Sequence, residues 1–118
     1  MDTKLENLQG KVTLSDEVLT YCIAEAALSV DGVCAMADVL GSLVLIPGRE
    51  VTSKRGIRIA RQDDHVTVDV YVIAAFGVKI PQLAWELQNR IKEEVQVVSG
   101  RAPEEINIHV QGVRFREQ

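Results

Sequence analysis

The sequence predicts an α+β fold: a two-layer sandwich with a small mixed or antiparallel sheet and two main helices packed on one of its faces. Three observations lead there. Two long segments repeat apolar residues at helical spacing, each with one main stripe. Residues 66–72 and 106–110 instead alternate apolar with polar residues, as half-buried strands do. Finally, 47% of the chain is hydrophobic but only 4% aromatic, so the core is built from Val, Ile, Leu and Ala. That composition suits β-branched strands under Ala-containing helices better than a carved aromatic pocket. The 118 residues form one domain over residues 10–115, preceded by a polar, flexible stretch over 1–9.

The elements follow in order. Lys11-Val12-Thr13-Leu14 alternates as a short strand with Val12 and Leu14 inward. Ser15 then caps a helix, and Asp16 and Glu17 meet the positive end of its dipole. The third position after Ser15 is Val18, so there is no full capping box. The helix runs to about Val30, where Asp31-Gly32 stops it. Val18, Leu19, Cys22, Ile23, Ala26 and Val30 form its main stripe, and Tyr21, Ala24 and Leu28 a weaker second one. A helix apolar on two sides has two things to cover it.

Residues 33–36 read as a short strand. Residues 39–46 are uncharged and markedly apolar up to the break at Pro47-Gly48, and a strand, a short helix and an ordered loop all fit them. Ile57-Arg58-Ile59 and residues 66–72 alternate strictly and are joined by Gln62-Asp63-Asp64-His65 as a hairpin turn. A four-residue loop sets Arg61 opposite Val66 and Arg58 opposite Asp69. The inward face then holds Ile57, Ile59, Val66, Val68, Val70, Val72 and Phe76, and the other face Thr67, Asp69, Tyr71 and Ile73.

Pro81 suits the first position of a second helix, where its missing N–H costs nothing. Ile80, Leu83, Ala84, Leu87, Ile91, Val95 and Val98 share one face up to the stop at Ser99-Gly100. Trp85 falls roughly 135° from the centre of that stripe. The last strand puts Ile106, Ile108 and Val110 inward and Asn107, His109 and Gln111 outward.

Little in this layout performs chemistry. The two histidines, His65 in the turn and His109 in the last strand, have no ligand at i+2 or i+4. No GxSxG, P-loop or GxGxxG occurs, and Gly77 between strand and helix reads as a tight turn. The polar residues of the last third lie scattered on solvent parities. No catalytic, cofactor-binding or metal residue is expected, and the chain is read as a non-enzyme.

A net charge of −4 and a pI near 5.1 argue against nucleic acid, which is held by neutralising phosphates. A KH-type GxxG loop is also missing. The local exception is a candidate basic patch, Arg49, Lys54, Arg55, Arg58 and Arg61, against the single acid Glu50. Its plainer reading is a solvated loop with a cross-strand Arg58–Asp69 pair. No apolar run approaches the roughly 20 residues of a spanning helix. Met1-Asp2-Thr3-Lys4-Leu5-Glu6 does not resemble a secretory signal, and neither terminus carries a lipidation motif. The expected compartment is cytoplasmic, where Cys22 and Cys34 stay reduced as core thiols. Trp85 and the apolar Leu43, Val44, Leu45 and Ile46 are hardest to place in a core. They form the candidate partner surface.

Two sets of residues resemble a known family. Gly10-Lys11-Val12-Thr13-Leu14-Ser15-Asp16-Glu17-Val18, Ile23-Ala24 and Asp31-Gly32-Val33 are similar to the N-terminal half of the alkaline shock proteins, the Gls-type envelope stress response proteins of Gram-positive bacteria. Phe76-Gly77-Val78-Lys79-Ile80-Pro81, Ser99-Gly100 and Ile106-Asn107-Ile108-His109-Val110-Gln111-Gly112-Val113 are similar to the C-terminal half, and residues 37–53 match least. The resemblance implies a small cytosolic α+β domain without established catalytic residues. It also implies self-association and, for some members, attachment to the membrane through a membrane-embedded protein partner. This chain resembles the short, single-domain kind. The expected function is a scaffold or regulator linked to envelope stress or homeostasis, acting as a homo-oligomer through protein contacts, with no direct membrane insertion. The alternative is a small RNA- or ligand-binding module using the basic segment.

Overall fold

The computed structural model describes residues 14–37 and 49–115. Ser15, in extended conformation, starts α1 (Asp16–Leu28): its Oγ accepts from the Val18 N–H at 3.2 Å. The helix closes on Ser29, whose N–H reaches the Glu25 and Ala26 carbonyls. Leu19, Thr20, Ile23, Ala24, Ala26 and Ala27 are buried, whereas Val18, Tyr21 and Leu28 stay about half exposed. The buried stripe is therefore turned toward the alanines, because α1 packs against both the sheet and the neighbouring second helix and small side chains allow that approach. Thr20 is tolerated in the core because its hydroxyl donates to the Glu17 carbonyl at 2.6 Å.

The strands are β1 (Val33–Met36), β2 (Arg49–Lys54), β3 (Ile57–Gln62), β4 (His65–Ala75) and β5 (Glu105–Arg114), with α2 (Ile80–Ser99) between the last two. β2, β3 and β4 form an antiparallel meander. β5 returns through α2 and pairs parallel with the opposite edge of β4. β3 stops at Ile57, opposite Val70, and β1 takes over that edge of β4 with Met36 opposite Val72. The sheet is thus mixed, and both helices cover one face, as expected.

That face holds the core: Ile57, Ile59, Val68, Val70, Val72 and Ala74 from the strands, Leu19, Ile23, Ala24 and Ala27 from α1, and Leu83, Leu87, Ile91 and Val95 from α2. Ile106, Ile108 and Val110 pack against its margin. Pro81 lies in the first turn of α2, and Gly100, in the left-handed region at φ 81°, ends it.

Several expectations need correction. β2 is a regular strand, not a solvated loop: Arg55 and Gly56, both at positive φ, make a two-residue turn that folds it onto β3. The β3–β4 turn is Asp63-Asp64 alone, yet the register is the expected one, with Arg58 opposite Asp69 and Gln62 pairing with His65. Leu14 and Ile80 are partly exposed at helix starts instead of inward. Phe76 is 64% exposed, because β4 ends at Ala75 and the chain turns through Gly77 at φ 91°. Lys11, Val12 and Thr13 and the apolar Leu43, Val44, Leu45 and Ile46 lie outside the described residues.

Candidate functional site

The helix-free face of the sheet gathers the polar residues that looked scattered along the chain. Because β5 lies parallel to β4, Asn107 comes opposite Asp69 and His109 opposite Tyr71. Asn107 Nδ2 donates to Asp69 Oδ1 at 3.1 Å, and His109 Nε2 lies 3.0 Å from the same oxygen. The Tyr71 and His109 rings stack with centroids 4.4 Å apart and planes 11° from parallel. From the β3 side, the Arg58 guanidinium lies 5.8 Å from the Tyr71 centroid.

The expected Arg58–Asp69 ion pair is replaced by these contacts. The two residues are opposite in register, but Asp69 is engaged by β5 and Arg58 leans over Tyr71, leaving its Nε buried without a partner. Alternation showed which side chains share this face. The convergence depended on the parallel pairing, which alternation within a single strand does not reveal.

A His–Asp pair beside a tyrosine resembles part of a catalytic constellation. Among the described residues no serine, threonine or cysteine is hydrogen-bonded to His109. Nor does any group of three His, Cys, Asp or Glu among them gather to hold a metal. The arrangement is a cross-strand ladder with its polar atoms mostly directed at one another.

The basic residues do not form one patch. Arg61 makes a bidentate pair with Asp16, 2.8 Å at both contacts, and Lys54 holds Glu17 at 2.6 Å, so both cations bind the start of α1. The Lys54 hydrogen bond holds the Glu17 carboxyl below its ordinary range. Arg55 reaches Thr20 Oγ1 at 3.4 Å and lies 5.6 Å from the centre of the Tyr21 ring. Strand alternation puts Arg49 and Arg58 on the open face instead.

Exposed apolar groups are more prominent. Trp85 is 65% exposed on α2, as its angle from the stripe predicts. Phe76 stacks on Phe115, itself 78% exposed, with centroids 4.5 Å apart at one end of the sheet. Beside them an open cleft of about 660 Å³ is lined by Val30, Cys34, Arg114 and Phe115 among others. Phe115 escaped the sequence reading, which ended its inward alternation at Val110. Cys22 and Cys34 are free but only half-buried; burial, and next Glu94, push the Cys22 thiol up. No helix among the described residues is long and apolar enough to cross a membrane.

Residues 4–115 match the model of the Asp-23 family, described as having a cell envelope-related function. The chain belongs to that family. It is 34% identical to YqhY of Bacillus subtilis (strain 168) over 106 residues, covering 90% of this chain and 78% of that one. It is 31% identical to YloU of the same organism over 117 residues, covering 97% of each. Spy1614 of Streptococcus pyogenes serotype M6 is 28% identical over 120 residues. All three are named as uncharacterized proteins. A solved MamM CTD chain in a zinc form superposes with a TM-score of 0.44 at 16% identity, over 86% of this chain and 87% of that one, a likeness too distant to bear on function. The alkaline-shock resemblance read from the sequence therefore holds at the level of the family.

Proposed function

We propose that this chain is a non-enzymatic cytoplasmic scaffold or regulator in cell-envelope homeostasis, acting through protein contacts and self-association. One observation carries the reading. The polar side chains of the open sheet face are largely spent on one another, while large apolar groups, Trp85, Phe76 and Phe115, are left in solvent. Such groups cost little at a surface that is covered by a partner and are the usual anchors of protein interfaces. The family's envelope link supports the setting. A membrane-embedded protein partner would hold the chain at the envelope without a lipid contact of its own.

The alternative, an RNA- or ligand-binding module built on the basic segment, loses support from the geometry. Lys54 and Arg61 are tied to acids of α1, Arg55 lies over Tyr21, and only Arg49 and Arg58 share a face. Crosslinking in the native cell followed by pull-down tests the proposal. It should recover a defined protein partner, and light scattering should give a mass above the 13.0 kDa of one chain. A strict monomer at high micromolar concentration with no crosslinked protein would overturn it. Steeply salt-dependent RNA binding would favour the alternative.

A further inference from the structure

Resting on that reading of self-association, we infer that the outer edge of β5 is where a second copy of this chain docks, β5 pairing antiparallel with β5 across a two-fold axis at Ile108. β5 is hydrogen-bonded to β4 and to no other strand among the described residues. β4 turns its odd-numbered backbone groups away from β5: the Tyr71 N–H goes to the Gly56 carbonyl and the Ala75 N–H to Gly32. Its even-numbered groups therefore serve β5. By the alternation of a parallel ladder, Ile106, Ile108 and Val110 are left with their N–H and C=O pointing outward. One of those carbonyls is already met from outside, since Gln88 Nε2 of α2 donates to Ile106 at 3.2 Å. The outward groups of Ile108 and Val110 have no partner among the described residues.

The other edge strands are built differently from β5: β1 has only four residues, and so short an edge offers little to pair with. β2, six residues long, carries Arg49, Glu50 and Lys54, the kind of charge that keeps an edge from pairing. β5 has no charge between Glu105 and Arg114 and no proline. A strand of that kind is a template for another strand.

The sequence is also self-complementary about Ile108. Antiparallel pairing sets Ile106 opposite Val110 on the helix face, as a hydrogen-bonded pair in which the second copy's Val110 N–H takes the Ile106 carbonyl from Gln88. On the open face it sets Asn107 opposite His109 and Glu105 opposite Gln111, an acceptor against a donor. Trp85 lies one helical turn before Gln88, on the flank of α2 that leans over this edge, where it would meet the α2 of the second copy. The product is one continuous sheet with four helices on one side.

Trp85→Ala should weaken the dimer at least about tenfold in sedimentation analysis. Gln111→Glu, which faces Glu105 with a like charge, should weaken it roughly threefold to tenfold, and Gln111→Lys should tighten it. Both sites are exposed, so the fold is kept. In amide exchange on the full chain, Ile108 and Val110 should gain protection as protein concentration rises, and lose it in Trp85→Ala at the same concentration. An oligomer whose Ile108 and Val110 amides ignore concentration would overturn this interface and leave self-association standing. A strict monomer would overturn both, whether those amides exchange freely or are protected by the chain's own residues.

Discussion

Asp69 is the residue whose environment the sequence described least well. Its side chain is only 14% exposed, and one oxygen serves both Asn107 and His109. Asp69→Ala removes both contacts at once and leaves the Asn107 amide without its acceptor. The expected loss is about 1–3 kcal/mol, read as a lower urea midpoint with an unchanged slope. Glu104 offers a test by pH. Its carboxylate accepts from the Val66 N–H at 2.5 Å, the main cause that lowers its pKa from the usual 4.5, with burial opposing. Glu17 is lowered in the same direction by its hydrogen bond to Lys54. A carboxyl depressed in the folded state stabilises the fold above its unfolded pKa, and that contribution is lost as pH falls through the folded value. Thermal midpoints should therefore decline on acidification below about pH 4.5, and Glu104→Gln should flatten that decline. Parallel wild-type and variant curves would show that the Glu104–Val66 bond contributes nothing.

Gly56 is where two elements share one edge. It turns β2 into β3 at φ 76° and accepts from the Tyr71 N–H at 2.9 Å, while the Tyr71 carbonyl accepts from Ala37 at the end of β1. A Cβ there would lie 2.6 Å from the Ala37 carbonyl oxygen and 3.0 Å from that of Tyr71. Both neighbours are backbone and cannot swing aside. Gly56→Ala should thus cost about 2–4 kcal/mol, while Gly77→Ala, also at positive φ but with open space around its Cβ, should cost only about 1 kcal/mol. Equal losses in chemical denaturation would mean that the seam is not tight. Legibility also divides at this scale. β3, β4 and α2 were readable because one face of each is buried, so side-chain period follows backbone period. β2 was not, because its sequence, Arg-Glu-Val-Thr-Ser-Lys, is mostly polar at an edge and is held by the turn and by the Lys54–Glu17 ion pair to α1. The direction of β5 was equally hidden, since alternation is the same in parallel and antiparallel strands. The polar ladder of Asp69, Tyr71, Asn107 and His109 was lost with it. Register was more robust: a two-residue turn inside the expected four-residue loop leaves Arg58 opposite Asp69.

At the scale of the whole molecule, the question is whether the chain meets the envelope by itself. Each Lys or Arg held near an anionic membrane gains about 1 kcal/mol, so five acting together would bind it. The fold prevents that. Lys54 and Arg61 are turned to the helix side and neutralised by Glu17 and Asp16. Arg55 is drawn to Tyr21, and only Arg49 and Arg58 share the open face. The chain as a whole carries a charge of −4, which an anionic surface repels. We therefore expect the purified protein to stay at the bottom of a flotation gradient with anionic liposomes, even at low ionic strength, where such attraction is strongest. Flotation abolished by moderate salt would instead assign lipid binding to the basic residues. Flotation that survives salt and is lost in a Phe76→Ser, Phe115→Ser double variant would assign it to the exposed aromatic pair. Either result would remove the need for a protein partner at the membrane. Absence of flotation, together with recovery in the membrane fraction of cells, would require one.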